Sequence, residues 1–305
     1  MTIVEATRVV KGGGDVEMIG AGGTGESFPT LEADLEKVRR SRRSGSVAGA
    51  LMYPALALGA ALGLWYAAIL VFGIPPYVLP LPHEVLRELV AAPGLFARHA
   101  AVTLYAAVGG FVLSVVIGVP IAIAIVWSEP FGKSIMPILI FSQTMPKVAI
   151  APLFILWFGF GLLPKIVIAF LISFFPVVIS MATGLVAVET EMLELIRSMA
   201  ASKRQVFLKA RIPTALPFLF SGLKVSITLC VIGAIVGEFV GANQGLGYLV
   251  LWANGQTQTA LLFSVLMVLA VIGYVLYSIV LYLERLAIPW HTAVKAQQDA
   301  TEFSY

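Results

Sequence analysis

A chain of 305 residues that is 59% hydrophobic, 12% charged and of mean hydropathy +0.94 is too apolar for a soluble globular domain, where about 45–50% is usual. Soluble enzymes and nucleic-acid binders are thereby excluded, and the chain reads as an all-α integral membrane protein. The net charge of +3 and the one cysteine, Cys230, add little: placement of Lys and Arg orients a membrane chain, not their sum, and one cysteine permits no internal disulfide.

Residues 1–46 are Gly-rich and polar, end in KVRRSRRSGS, and read as a disordered cytoplasmic tail. Their GAGGTG, Gly20 to Gly25, matches the dinucleotide fingerprint formally. The tail has no room for the strand, helix and α/β domain that a working fingerprint requires. No short apolar core follows a charged start, so no cleaved signal peptide is expected. The basic cluster Arg39 to Arg43 is expected to rest on anionic head groups just inside the first span.

Six apolar runs are long enough, at about 20 residues each, to cross a bilayer: residues 47–72, 101–126, 135–158, 166–187, 218–240 and 260–284. Between the first two lie IPPYVLPLP and then HEVLRELV, whose apolar spacing predicts a short interfacial helix. With a cytoplasmic N-terminus, fifteen Lys and Arg fall inside and three outside, so both termini are expected in the cytoplasm. This divides the chain into the tail, a six-helix membrane body over 47–291 and a cytoplasmic tail over 292–305.

Polar residues within spans are where transport chemistry is read. Ser142, Gln143, Thr144 and Lys147 lie mid-span in a segment containing Pro137, Pro146 and Pro152, which predicts a kinked or discontinuous helix. Lys147 either faces a pore, where it suits an anionic or strongly polar substrate, or snorkels or pairs within the bundle. Lys224 is read as snorkelling to the inner surface. Glu238, near the outer end of the fifth span, either lines an outer gate or bonds loop amides. Gly241, Gly245 and Gly247 give a tight outer loop its backbone freedom, as a plain turn or as part of the outer gate or a docking surface. Trp65, Tyr66, Trp157 and Phe158 read as interfacial anchors. His83, His99 and His291 are scattered, with no metal spacing, and no hydrolytic residue order suggests an enzyme.

The connection 188–217 is different: polar, rich in Lys and Arg, and set between two apolar spans. Thr190 is placed to cap a helix whose Met192, Leu195, Ile196 and Met199 fall on one face. A break is expected near Ala200–Ala201. Ser202 and Gln205 then form a capping-box pattern for a second helix reaching the edge of Ile212-Pro213. Such a helix pair either lies on the membrane surface or docks a cytoplasmic partner.

This connection resembles the "EAA" coupling loop of ATP-binding-cassette importer permeases. Glu194, Leu195 and Ile196 take the E-A-A places, Ala200 the Gly place, Ala210 the Ile place and Ile212-Pro213 the L-P place; Ser202 and Phe207 fit the wider pattern. Three further stretches, MPKVAIAPLFILWFGFG, FFPVVISMATG and GEFVGANQGLGYL, are similar to the nitrate, sulfonate, taurine and bicarbonate branch, to which thiamine-precursor and riboflavin permeases are also similar. The resemblance covers about residues 50–291. It implies a type I importer fold of six helices and a homodimer formed with a second copy of the permease. Two ATP-hydrolysing subunits would join it inside, and an extracytoplasmic substrate-binding protein would serve it outside. Cofactors would be absent from this chain, with ATP and Mg on the ATPase; no phosphate-loop motif occurs in the sequence. An autonomous channel or secondary transporter is the alternative, against which stands the lack of an internal repeat and of intramembrane acids other than Glu238.

Overall fold

The computed structural model describes residues 47–289, all of whose regular elements are helical. The readings made on the N-terminal tail, including GAGGTG and Arg39 to Arg43, on His291 and on the C-terminal tail lie outside them. The chain divides into two units at Ala61. In the first, the described residues are the beginning of helix α1, Val47–Phe72. The second holds the rest of α1 and all later elements.

In the second unit α2 covers Pro82–Ala91, α3 Pro93–Trp127, α4 Glu129–Thr144 and α5 Ala151–Phe158. Next come α6 Leu162–Val186, α7 Thr190–Ser198 and α8 Lys203–Val206, then a π-helical turn at Phe207–Arg211. The chain ends in α9 Ile212–Phe239, α10 Leu246–Gly255 and α11 Thr259–Ala287. Among the described residues five helical segments are long and apolar enough to cross a membrane: Ala55–Phe72, Pro93–Trp127, Leu162–Val186, Lys203–Phe239 and Thr259–Ala287.

The third of the six expected spans is discontinuous, as its prolines predicted. Residues 135–158 divide between α4 and α5, which flank a turn. Met145 takes an extended conformation (φ −70°, ψ 131°) because the ring of Pro146 disfavours a helical residue before it. Pro152 then opens α5, where its missing N–H costs nothing. Pro137, by contrast, stays inside α4.

Helix α6 is the centre of the second unit, packed between α3 and α9. Both neighbours approach through glycine: a Cβ on Gly110 would meet the Cβ of Ala169 at 2.6 Å, and one on Gly233 would meet its Cα at 2.6 Å. Small residues of this kind let membrane helices pack backbone to backbone, where lipid supplies no hydrophobic drive between helices. Hydroxyls join the same contact. Ser114 Oγ lies 2.6 Å from Ser173 Oγ, and Ser226 Oγ donates to Ser173 O at 3.0 Å. Buried Cys230, Ile227 and Ala234 of α9 complete this core with Ala106 and Ala107 of α3. Lys224 does not merely snorkel: its ammonium donates to Glu284 Oε2 at 2.9 Å, tying α9 to α11.

Two expectations about local structure change. The second helix of the 188–217 connection does not stop at Pro213 but runs on into α9. Pro213 has no N–H and its ring crowds the preceding turn; the π turn, in which Ile212 N–H donates to Phe207 O, widens the helix there. Gly247, read within an outer loop, lies in α10, Leu246–Gly255, instead.

Candidate functional site

The 187–211 connection and the 240–245 loop lie at opposite ends of the antiparallel pair α6 and α9. At the first end, α7 begins without a side-chain cap: its N-cap is Glu189, and Thr190, the expected cap, is already helical. Its other terminus is tightly made. Ala200 N–H donates to Arg197 O at 2.9 Å and Ala201 N–H to Ile196 O at 3.4 Å, the pair of bonds that closes a helix when the residue after its C-cap turns left-handed. That residue is Ala200, with φ 54°. The position is the one glycine takes in the loop pattern that this stretch resembles. One residue later Ser202 N–H donates to Gln205 Oε1 at 2.8 Å and Gln205 N–H to Ser202 Oγ at 3.4 Å, so the capping box forms as expected.

The apolar face of α7 is left open. Met192 is 44% exposed, Leu195 63% and Met199 74%, while Ile196 is half-buried. Glu194 is exposed and Pro213 half-buried. Helix α7, held at its C-terminus by backbone bonds, thus carries Met192 and Leu195, with Met199 at its C-cap, as large apolar side chains left mostly or about half uncovered among the described residues.

The opposite end is closed. The Glu238 carboxylate is 1% exposed. It accepts hydrogen bonds from Thr103 Oγ1 at 2.9 and 3.0 Å and from Gly247 N–H at 2.7 Å, and lies 3.8 Å from Lys165 Nζ. Thr103 Oγ1 accepts from Leu246 N–H at 2.8 Å, and Lys165 Nζ donates to Gln244 O at 2.7 Å. His99 Nδ1 sits 3.0 Å from both the N and the O of Gly245, its ring stacked on Tyr248 at 5.9 Å. A buried charge is tolerated when paired and hydrogen-bonded, and here α3, α6, α9 and the start of α10 all contribute. Gly245 has φ 121°, and a Cβ there would meet the Glu238 carboxylate.

The candidate substrate-path residues Ser142, Gln143, Lys147 and Glu238 are therefore not brought together. Glu238 bonds a backbone amide, but that of Gly247 in the first turn of α10 rather than one in a loop, and it faces no open space. Gly245 and Gly247 are buried against it, Gly247 within α10 rather than in a loop; Gly241 is exposed beside the Phe160 ring. Ser142 and Gln143 lie on α4, half-buried and exposed. Lys147 sits in the turn between α4 and α5, half-buried, its ammonium 4.4 Å from the centre of the Phe175 ring. Trp65 and Tyr66 are more than anchors: Trp65 Nε1 donates to Pro80 O at 3.2 Å and Tyr66 Oη lies 2.9 Å from His83 Nδ1, holding the Pro-rich turn before α2. Sequence reasoning missed the parts played by His99, Thr103 and Lys165. The available signal was the four-residue spacing of His99 and Thr103 and the opposite charges of Lys165 and Glu238.

Spanning helices around a small-residue core, a discontinuous third segment and an amphipathic hairpin between α6 and α9 define a multi-pass membrane permease. Residues 110–288 match the family of the binding-protein-dependent transport system inner membrane component, and the chain belongs to it. It is 35% identical to the formylaminopyrimidine transport permease protein ThiX of Halalkalibacterium halodurans over 70% of this chain and 86% of that one. It is 29% identical to the taurine transport system permease protein TauC of Escherichia coli over 78% and 89%. Its fold is similar to that of a chain in the inward-facing MetNI methionine ABC transporter: TM-score 0.57, 20% identity, 64% of this chain and 97% of that one. The chain is a permease subunit of an ATP-binding-cassette importer.

Proposed function

We propose that two copies of this chain form the translocation path of an importer in a bacterial inner membrane, with both termini cytoplasmic. The solute is small and polar or anionic, and α7 is the element through which the ATPase drives transport. The observation that carries this reading is the open apolar stripe of Met192, Leu195 and Met199 on a helix fixed at its C-terminus. A coupling element must be rigid and held by both partners. Glu194, Ile196, Ala200, Ser202 and Pro213 serve it by shaping the hairpin, and two ATP-binding-cassette subunits supply the groove, together with ATP and Mg. The chain itself is a non-catalytic subunit, served on the outer face by a substrate-binding protein that meets the loop around Gly241.

Ser142, Gln143 and Lys147 line the path from the broken α4–α5 segment, whose side chains stand open in the single subunit. The relatives' names span formylaminopyrimidine and taurine, which supports a path of general polarity with selectivity residing largely in the binding protein. An ion-coupled transporter without ATP would need a titrating acid in its path. Glu238 is already committed to Thr103, Lys165 and the Gly247 amide, and Glu284 is paired with Lys224.

Truncating any one side chain of the stripe removes about 1.5–3 kcal/mol of docking energy, and an inserted charge costs more. Leu195→Asp and Met199→Asp are expected to abolish uptake and to lose the ATPase on mild-detergent purification, with membrane insertion unchanged. Normal uptake in both variants overturns the proposal.

A further inference from the structure

At the same end of the molecule lies a cleft of about 520 Å³ between the end of α3 and the hairpin. Its apolar side is Val126, Trp127 and Phe207, with Trp127 set edge-on to Phe207 at a centroid distance of 5.1 Å. Its polar side is three cations from three elements: Arg197 of α7, Lys203 of α8 and Arg211 of the π turn. No acidic residue lines it, and none of the three forms an ion pair or side-chain hydrogen bond among the described residues. Arg211 is half-buried there.

Three uncompensated cations around one space repel one another, and their lowest-energy partner is a compact multivalent anion. Guanidinium groups match phosphate bidentately and lysine adds a point charge. Trp127 is the last residue of a membrane-length helix, where aromatic side chains mark head-group level. We infer that this cleft is a binding site for a phosphate-bearing anion, seated by Arg197, Lys203 and Arg211 with its apolar portion against Trp127 and Val126. The phosphate belongs to an anionic lipid head group or to a soluble phosphate compound. Because Arg197 precedes the Ala200 turn and Lys203 and Arg211 follow it, the bound anion bridges the two arms of the hairpin and stiffens the proposed coupling element. The location of the cleft on the cytoplasmic side rests on the proposed function; the binding chemistry does not.

The test is native mass spectrometry of the full chain released from detergent micelles in the presence of phosphatidylglycerol, phosphatidylcholine or pyrophosphate. Expected is retention of phosphatidylglycerol over phosphatidylcholine, weakened about tenfold by each cation removed in Arg197→Gln and in Lys203→Gln, both exposed positions that tolerate change. Arg211→Gln should weaken it further. Retention of pyrophosphate in place of the lipid, with the same dependence on the cations, supports the site and identifies a soluble ligand. Equal retention of both lipids by the parent chain and the Arg197→Gln variant, with no pyrophosphate bound, overturns the inference. It is also overturned if no phosphate compound binds while Arg197→Gln alone releases the ATPase, since the cations then serve acidic groups of that partner. Recovery of the parent chain without any ATPase, yet with phosphatidylglycerol bound, would refute the proposed function and leave the site standing.

Discussion

The two ends of the α6–α9 pair solve opposite problems. Around Glu238 every polar group meets a partner from the same chain, and the carboxylate is 1% exposed. Around α7 the C-terminal backbone is closed, yet the side chains that a soluble helix would bury are open, Met199 at 74%. The first end is finished within the subunit; the second is complete only in an assembly. Buried ion networks are costly to break, whereas an open apolar stripe costs the free subunit little to change. Stability and transport should therefore separate between the two ends.

The largest effect is expected from Glu238→Ala. It leaves the Lys165 ammonium buried beside a cavity and strips Gly247 N–H and Thr103 of their acceptor, a loss of about 3–5 kcal/mol. Thermal unfolding in detergent measures it, and Glu238→Gln, which keeps one acceptor and the volume, should recover part of the loss. A midpoint unchanged by Glu238→Ala would dissolve the contrast between the ends. Gly245→Ala comes next. Its φ of 121° and the Glu238 carboxylate lying where its Cβ would go set a cost of about 2–3 kcal/mol, read by the same assay and by faster hydrogen exchange over residues 240–247.

How far the sequence foretold each end follows from the range of the forces. The hairpin was legible because its determinants are local: the α7 stripe repeats at helical spacing, and the Ser202–Gln205 box joins residues three positions apart. The closed end depends on residues distant in the chain, Thr103 with Glu238 and His99 with Gly245, and no periodicity announces such pairs. The α4–α5 break lay between these cases. Pro146 and Pro152 marked it, but hydropathy alone merged the two helices into one span. The one apparent defect in the hairpin, an alanine where the loop pattern has glycine, proved informative because the structure puts Ala200 in the left-handed region at φ 54°.

That alanine carries the smallest prediction and the one with reversed sign. A left-handed alanine costs roughly 1 kcal/mol more than glycine, so Ala200→Gly should strengthen the closure of α7 by about that amount, less about 0.5 kcal/mol for the added freedom of the unfolded chain. Slower exchange of the Ala200 and Ala201 amides, which close the helix on Arg197 and Ile196, measures the gain. Glycine would then be the favoured residue at both ends: removing it destabilises at position 245, and introducing it stabilises at position 200. If Ala200→Gly instead speeds exchange, the turn is held by something other than the local backbone bonds, and the rigidity assigned to α7 must come from the partner that covers it.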